Sequence, residues 1–141
     1  MTFVVDNSVA LAWCFEDEQT VEIMALLDRV VETGAFAPQL WPIEALNGLL
    51  TAERRGRIDA ATRRRLADLL RQLPISLDAD TAAQTWTATA QLAEQHRLTA
   101  YGAAYLELAL REGLPLATTD EALVAAAERL GVALIAVRAA R

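Results

Sequence analysis

Short apolar runs alternate with longer amphipathic stretches along the chain, and the two periods predict strands and helices in turn. Phe3-Val4-Val5 is aromatic and β-branched and reads as a short strand. Asp6-Asn7-Ser8 then offers helix caps ahead of Val9, Leu11, Ala12 and Trp13. A helix is expected from Thr20 to Glu32, with Val21, Met24, Leu27 and Val31 inward and a stop near Gly34. Ala35-Phe36-Ala37 is a second strand candidate. Leu40 to Arg55 reads as a helix with Ile43, Leu46, Leu49 and Leu50 on its inner face, ended by Gly56. Asp59 caps the next helix, where Leu66, Leu69, Leu70 and Leu73 recur at helical spacing before Pro74. Ile75-Ser76-Leu77 is a weak strand. Helices over Thr81 to His96 and Thr99 to Glu112 follow, then a buried strand from Leu114 to Thr118. A helix from Glu121 to Leu130 stops at Gly131, and Val132 to Val137 is a last strand. Strands separated by helices predict an α/β fold with a parallel sheet covered on both faces. In such sheets ligands bind beyond the carboxyl ends of the strands.

That crevice makes the acids after the strands interesting. Asp6 directly follows the first strand and Asp120 the strand ending at Thr118. Each could merely cap the helix after it. Glu44, in the first turn of its helix, could merely complement the helix dipole. It shares a stripe with Asn47, Gly48 and Thr51, about 100° from the centre of the expected apolar face. Gly48 leaves room there for a ligand or another backbone. Three converging carboxylates repel one another unless a cation neutralises them. Oxygen ligands favour Mg²⁺ or Mn²⁺ over zinc, and Cys14 and His96 stand alone as the chain's one cysteine and one histidine. Cys14, among Leu11, Trp13 and Phe15, reads as buried and apolar, and His96 as a helix-end residue.

Composition narrows the chemistry. The 141 residues suffice for one domain with a real core, and at 54% apolar and 23% charged the chain is globular. One cysteine permits no internal disulfide, which suits a reducing, cytoplasmic setting. No apolar run reaches the ~18 residues of a membrane span, and the N-terminus does not read as a signal peptide. All thirteen basic residues are arginine, which excludes P-loop and Schiff-base chemistry, both of which need lysine. The net charge is −6, but residues 51–71 hold seven arginines against three acids, +4, leaving −10 elsewhere. Arg54, Arg55, Arg63, Arg64 and Arg65 on this arm could contact the phosphates of a nucleic acid or simply form a solvated helix surface.

Four segments resemble the ordered motifs of PIN-domain toxins of the VapC type. They are Val5-Asp6-Asn7-Ser8-Val9-Ala10-Leu11-Ala12-Trp13, Trp41-Pro42-Ile43-Glu44-Ala45-Leu46-Asn47-Gly48-Leu49, residues 98–109, and Leu116-Ala117-Thr118-Thr119-Asp120 followed by Leu123. The resemblance implies one PIN domain over residues 1–141, a three-layer α/β/α fold around a central parallel sheet. It implies an endoribonuclease dependent on Mg²⁺ or Mn²⁺ that cuts tRNA or rRNA as the toxin of a toxin–antitoxin pair. It further implies a homodimer and a VapB-type antitoxin, whose C-terminal segment would dock on apolar surface around Trp13, Phe15 and Trp41. Asp6, Glu44 and Asp120 take the metal-binding carboxylate roles, with Ser8 and Thr118 in support.

Gly102 departs from the pattern: the family places an acid there. Local physics also favours one. Thr99 is placed to cap the helix with Gly102 at its third position, where an acid is favourable, and glycine costs roughly 1 kcal/mol against alanine inside a helix. Glu107 lies about 140° round the helix and does not replace it. Two readings follow: a nuclease weakened or inactivated at Gly102, or a non-catalytic PIN-fold module that binds RNA or an antitoxin. A phosphotransfer domain fits poorly, lacking a lysine and a second acid at Ser8.

Overall fold

The computed structural model describes residues 2–135 and 137. Its centre is a four-stranded, all-parallel sheet in the order β3-β2-β1-β4, built from β1 (Val4–Val5), β2 (Ala35–Pro38), β3 (Ile75–Asp78) and β4 (Leu116–Ala117). Val4 pairs with Phe36 on one side and Leu116 on the other, and Val5 pairs with Ala117. Phe3, Val4 and Val5 are completely buried, as a central strand covered on both faces must be. The three-layer α/β/α architecture is the expected one.

Each strand runs into a helix, and local chemistry sets the boundaries. α1 (Asn7–Ala12) follows β1; α2 (Val21–Thr33) begins at Thr20, whose hydroxyl accepts from the Ile23 N–H, and ends at Gly34 with φ +78°. α3 (Trp41–Arg54) and α4 (Ala60–Gln72) form a hairpin, and Asp59 caps α4 through the Thr62 N–H at 2.7 Å. The expected helix over 81–96 is α5 (Thr81–Gln84) and α6 (Ala90–His96) joined by a π-helical stretch, Thr85–Thr89. α7 (Ala100–Glu112) packs on β1, β2 and β4, and α8 (Glu121–Leu130) packs on α7.

In two helices the inward face is rotated from the expected one. In α2 the buried positions are Ile23, Leu26 and Val30, while Val21 is 85% exposed and Val31 is also exposed. In α3 they are Trp41, Ala45, Leu49 and Ala52, while Ile43 is 74% exposed and Leu46 is exposed too. In α3 the inward alanines pack closely but add little to a hydrophobic pattern, so the pattern followed the bulkier side chains. Ile43 aside, the displaced surface of α3 is not wasted: Leu46 lines an apolar groove of about 380 Å³ with Pro42, Leu70, Leu73, Ile75 and Leu77. The last expected strand, 132–137, is a single parallel bridge, Leu116 to Leu134, among the described residues; Ala136 lies outside them.

Candidate functional site

Asp6 stands at the carboxyl end of β1 and is 7% exposed. Its side chain makes no capping hydrogen bond to α1, so it is not there to start the helix. Instead Ser8 Oγ and Thr118 Oγ1 both donate to Asp6 Oδ2 at 2.7 Å. The register of β1 against β4 explains this meeting: Val5 opposite Ala117 brings the next residue of each strand, Asp6 and Thr118, side by side. Ser8 Oγ in turn accepts from the Thr119 N–H, and Thr118 Oγ1 accepts from the Asp120 N–H, locking the two loops together. Asp120 is exposed and does cap its helix, its Oδ1 accepting from the Leu123 N–H at 3.0 Å. The capping alternative therefore holds for Asp120 and fails for Asp6.

Glu44 projects from α3, half-buried beside the inward face of that helix. The hydroxyl of Tyr105, on α7, donates to Glu44 Oε1 at 2.7 Å. Burial raises the Asp6 carboxyl above its ordinary range; the Thr118 and Ser8 hydroxyls offset part of this, and the Asp120 charge adds to it. Burial also raises Glu44, the Tyr105 hydroxyl opposes, and the Asp6 charge adds again. Asp6 thus feels Asp120, and Glu44 feels Asp6. Tyr105 is pushed strongly up by burial and by both carboxylates.

One rule runs through the three acids. A hydroxyl or N–H of the protein holds one oxygen of each: Asp6 Oδ2, Glu44 Oε1 and Asp120 Oδ1. No side chain among the described residues donates to the other oxygen. Beside Asp6, the Oδ1 of Asn7 is buried without a hydrogen-bond partner. The set is all oxygen and acidic, and it suits a hard divalent cation. It is not a closed cage, however: among the described residues no three His, Cys, Asp or Glu side chains stand close enough to hold one ion.

Gly102 sits in the first turn of α7, where its N–H donates to Thr99 Oγ1 at 3.0 Å, the expected cap. A Cβ there would meet only that same oxygen, at 3.4 Å, an ordinary van der Waals contact. Gly48 differs: a Cβ would come within 2.5 Å of Leu11 Cδ1, and the room left there is filled by the α1 side chain, not by a ligand. Glu107 is committed elsewhere. Arg111 binds it through Nε at 2.9 Å and Nη2 at 3.0 Å, and also holds Asp78.

The other expected site residues fare unevenly. Arg54, Arg55, Arg64 and Arg65 are exposed, whereas Arg63 is paired with Glu53. Arg57 is paired with Asp17 and Glu18 and stacked over Phe15 at 4.0 Å. Trp13, Phe15 and Trp41 are all core residues, so they offer little docking surface. Cys14 is half-buried and its thiol is pushed up to about 11, mainly by burial. No helix among the described residues is long and apolar enough to cross a membrane.

The PIN-domain family model matches residues 3–129. The chain belongs to the PIN-domain family. PIN domains are generally metal-dependent nucleases. The structure of PAE2754 from Pyrobaculum aerophilum is similar with a TM-score of 0.68 and 26% identity, over 95% of this chain and 90% of that one. FitAcB from Neisseria gonorrhoeae is similar with a TM-score of 0.66 and 17% identity, over 96% and 97% of the two chains. FitAB bound to an IR36 DNA fragment gives 0.66 and 16%, over 95% and 94%. These last two likenesses concern the fold alone. A comparison with curated proteins returned no match.

Proposed function

We propose that this PIN domain is the toxin of a toxin–antitoxin pair of the VapC type, an endoribonuclease dependent on Mg²⁺ or Mn²⁺ and weakened by Gly102. The observation that carries the reading is that Asp6, Glu44 and Asp120 each have one oxygen held by a protein donor, with Asp6 buried and raised further by the charge of Asp120. A divalent cation on these residues would supply the positive charge that activates water and stabilises a phosphodiester under attack. The protein's own part is to hold the acids: Ser8 and Thr118 orient Asp6, and the cap on α8 orients Asp120. An acid at position 102 would add a fourth carboxylate on α7, and its absence fits the lack of a closed cage.

RNA is the proposed substrate, with Arg54, Arg55, Arg64 and Arg65 as exposed phosphate contacts. A VapB-type antitoxin is the proposed partner, and the family likeness also supports a homodimer. The antitoxin's apolar segment would lie in the groove lined by Pro42, Leu46 and Leu77, not on the buried Trp13, Phe15 and Trp41. Cytoplasmic location follows from the same reading. FitAB, a neighbour in fold, was solved bound to a DNA fragment.

The open carboxylate arrangement and Gly102 favour one second reading, a non-catalytic PIN module that binds RNA or an antitoxin without cutting. Mn²⁺ binding and RNA cleavage by the wild-type chain and by Gly102→Asp separate the two. The nuclease reading expects weak Mn²⁺ binding and slow cleavage in the wild type, both strengthened in Gly102→Asp. Failure of Gly102→Asp to bind metal more tightly or to cut RNA would leave the binding module.

A further inference from the structure

Tyr105 is completely buried in the middle of α7, yet its hydroxyl reaches a half-exposed carboxylate on another helix. A phenyl ring would fill the same space. A buried tyrosine hydroxyl needs a partner, but Glu44, reachable by water, does not need a tyrosine. The two helices also differ in what anchors them. α7 packs on β1, β2 and β4 at the centre of the sheet, whereas α3 packs on α1 and α4. The hydrogen bond therefore ties a long, flexible side chain on a peripheral helix to a ring fixed at the sheet's centre.

Its effect on Glu44 parallels what Ser8 and Thr118 do for Asp6 and what the α8 cap does for Asp120. With Oε1 occupied by Tyr105, Glu44 keeps Oε2 for another ligand. Tyr105 also lies three residues after Gly102, on the same side of α7. The donor that orients Glu44 is thus built into the helix whose first turn lacks the acid.

We propose that Tyr105 is a positioning residue for Glu44: its hydroxyl holds Oε1 so that Oε2 is presented beside Asp6, and so sets how Glu44 engages a divalent cation. This rests on the metal-binding reading of Asp6, Glu44 and Asp120. Tyr105 touches neither cation nor RNA; it acts through Glu44.

The test is Mn²⁺ titration by calorimetry, with the electron paramagnetic resonance spectrum of bound Mn²⁺, on Tyr105→Phe, Glu44→Gln and the double variant. Each is made in the wild-type chain and in Gly102→Asp. The expected result is that Tyr105→Phe weakens Mn²⁺ binding about ten-fold, the scale for losing a partner that orients a ligand. It also alters the Mn²⁺ spectrum while the metal-free unfolding midpoint hardly moves. Adding Tyr105→Phe to Glu44→Gln should then change neither affinity nor spectrum. Unchanged affinity and spectrum in Tyr105→Phe, with Glu44→Gln impaired, would overturn the positioning role and leave the metal site standing. A lowered unfolding midpoint with unchanged affinity makes Tyr105 a packing residue and overturns it equally. If Glu44→Gln binds Mn²⁺ as tightly as its parent, or no protein in either background binds Mn²⁺, the metal reading itself fails and the positioning role with it.

Discussion

Thr118 Oγ1 lies 2.7 Å from Asp6 Oδ2, although the two residues are 112 positions apart. The contact is a product of parallel pairing between β1 and β4, and it joins the two loops that carry Asp6 and Asp120. Removing the hydroxyl by Thr118→Val leaves a buried carboxylate with one fewer donor. Such a loss costs about 1–3 kcal/mol. Thr118→Val should therefore unfold at lower denaturant than the wild type and bind Mn²⁺ more weakly.

Asp6 and Glu44 are raised above their ordinary values of 3.8 and 4.5, so the folded protein holds these protons more tightly than the unfolded chain. The sign follows from linkage: at neutral pH both carboxylates are a strain on the fold, relieved as pH falls through their raised values. Asp6→Asn should unfold at a higher temperature than the wild type at pH 7, without metal, and the gain should shrink as the pH falls toward 4. Mn²⁺ should stabilise the wild type at pH 7 and leave Asp6→Asn unmoved. Thermal unfolding across pH, with and without Mn²⁺, measures both.

Much of this arrangement is legible in the sequence, for reasons that can be named. Asp6 and Asp120 stand where strands stop, and Thr20, Asp59 and Thr99 announce helices that begin as expected. These are local signals. What was missed depends on packing between elements. Nothing local marks Ala45 and Ala52 as buried in preference to Ile43, because that outcome depends on how α3 meets α1 and α4. Tyr105 escaped notice because a tyrosine amid Ala103, Ala104, Leu106 and Leu108 reads as core, which it also is; only its hydroxyl belongs to the site. The partners of Arg111 are hidden similarly, since Asp78 ends an edge strand and Glu107 lies inside an apolar helix.

Arg111 closes that second, structural network. It binds two buried acids, Asp78 at the end of β3 and Glu107; burial pushes the Asp78 carboxyl up, but the Arg111 guanidinium, with the Asp80 N–H and the Thr81 hydroxyl, holds it below its ordinary range. Arg111→Met would strand both acids. Stability should fall by about 3 kcal/mol at pH 7, the cost of breaking a buried pair from one side. The penalty should diminish in acid, as Asp78 takes up a proton. Denaturant unfolding at pH 7 and pH 4 gives the comparison, and Mn²⁺ affinity should be unchanged where the protein is folded.

Gly102 allows helix propensity to be separated from charge. Gly102→Ala should stabilise the fold by about 0.5–1 kcal/mol through propensity alone, since a Cβ meets no obstacle there. It should leave Mn²⁺ affinity where it was. A tighter Mn²⁺ complex in Gly102→Ala would mean that helix order, not a missing carboxylate, limits the site.

The exposed arginines make a prediction about salt. Replacing Arg54, Arg55, Arg64 and Arg65 together by alanine should weaken RNA binding and flatten the slope of log K against log salt. On a single strand the slope should fall by about 0.7 for each phosphate that is no longer neutralised. Filter binding over a range of salt concentrations reads the slope directly. An unchanged slope would return these residues to the role of a solvated surface.

The most direct test is a crystal of the wild-type chain soaked in Mn²⁺ and measured for anomalous scattering. An ion coordinated by Asp6 and Glu44, with Asp120 bound directly or through water and Tyr105 still on Glu44, is the predicted result. A saturating soak that leaves those carboxylates bare, or places the ion on other residues, would contradict it.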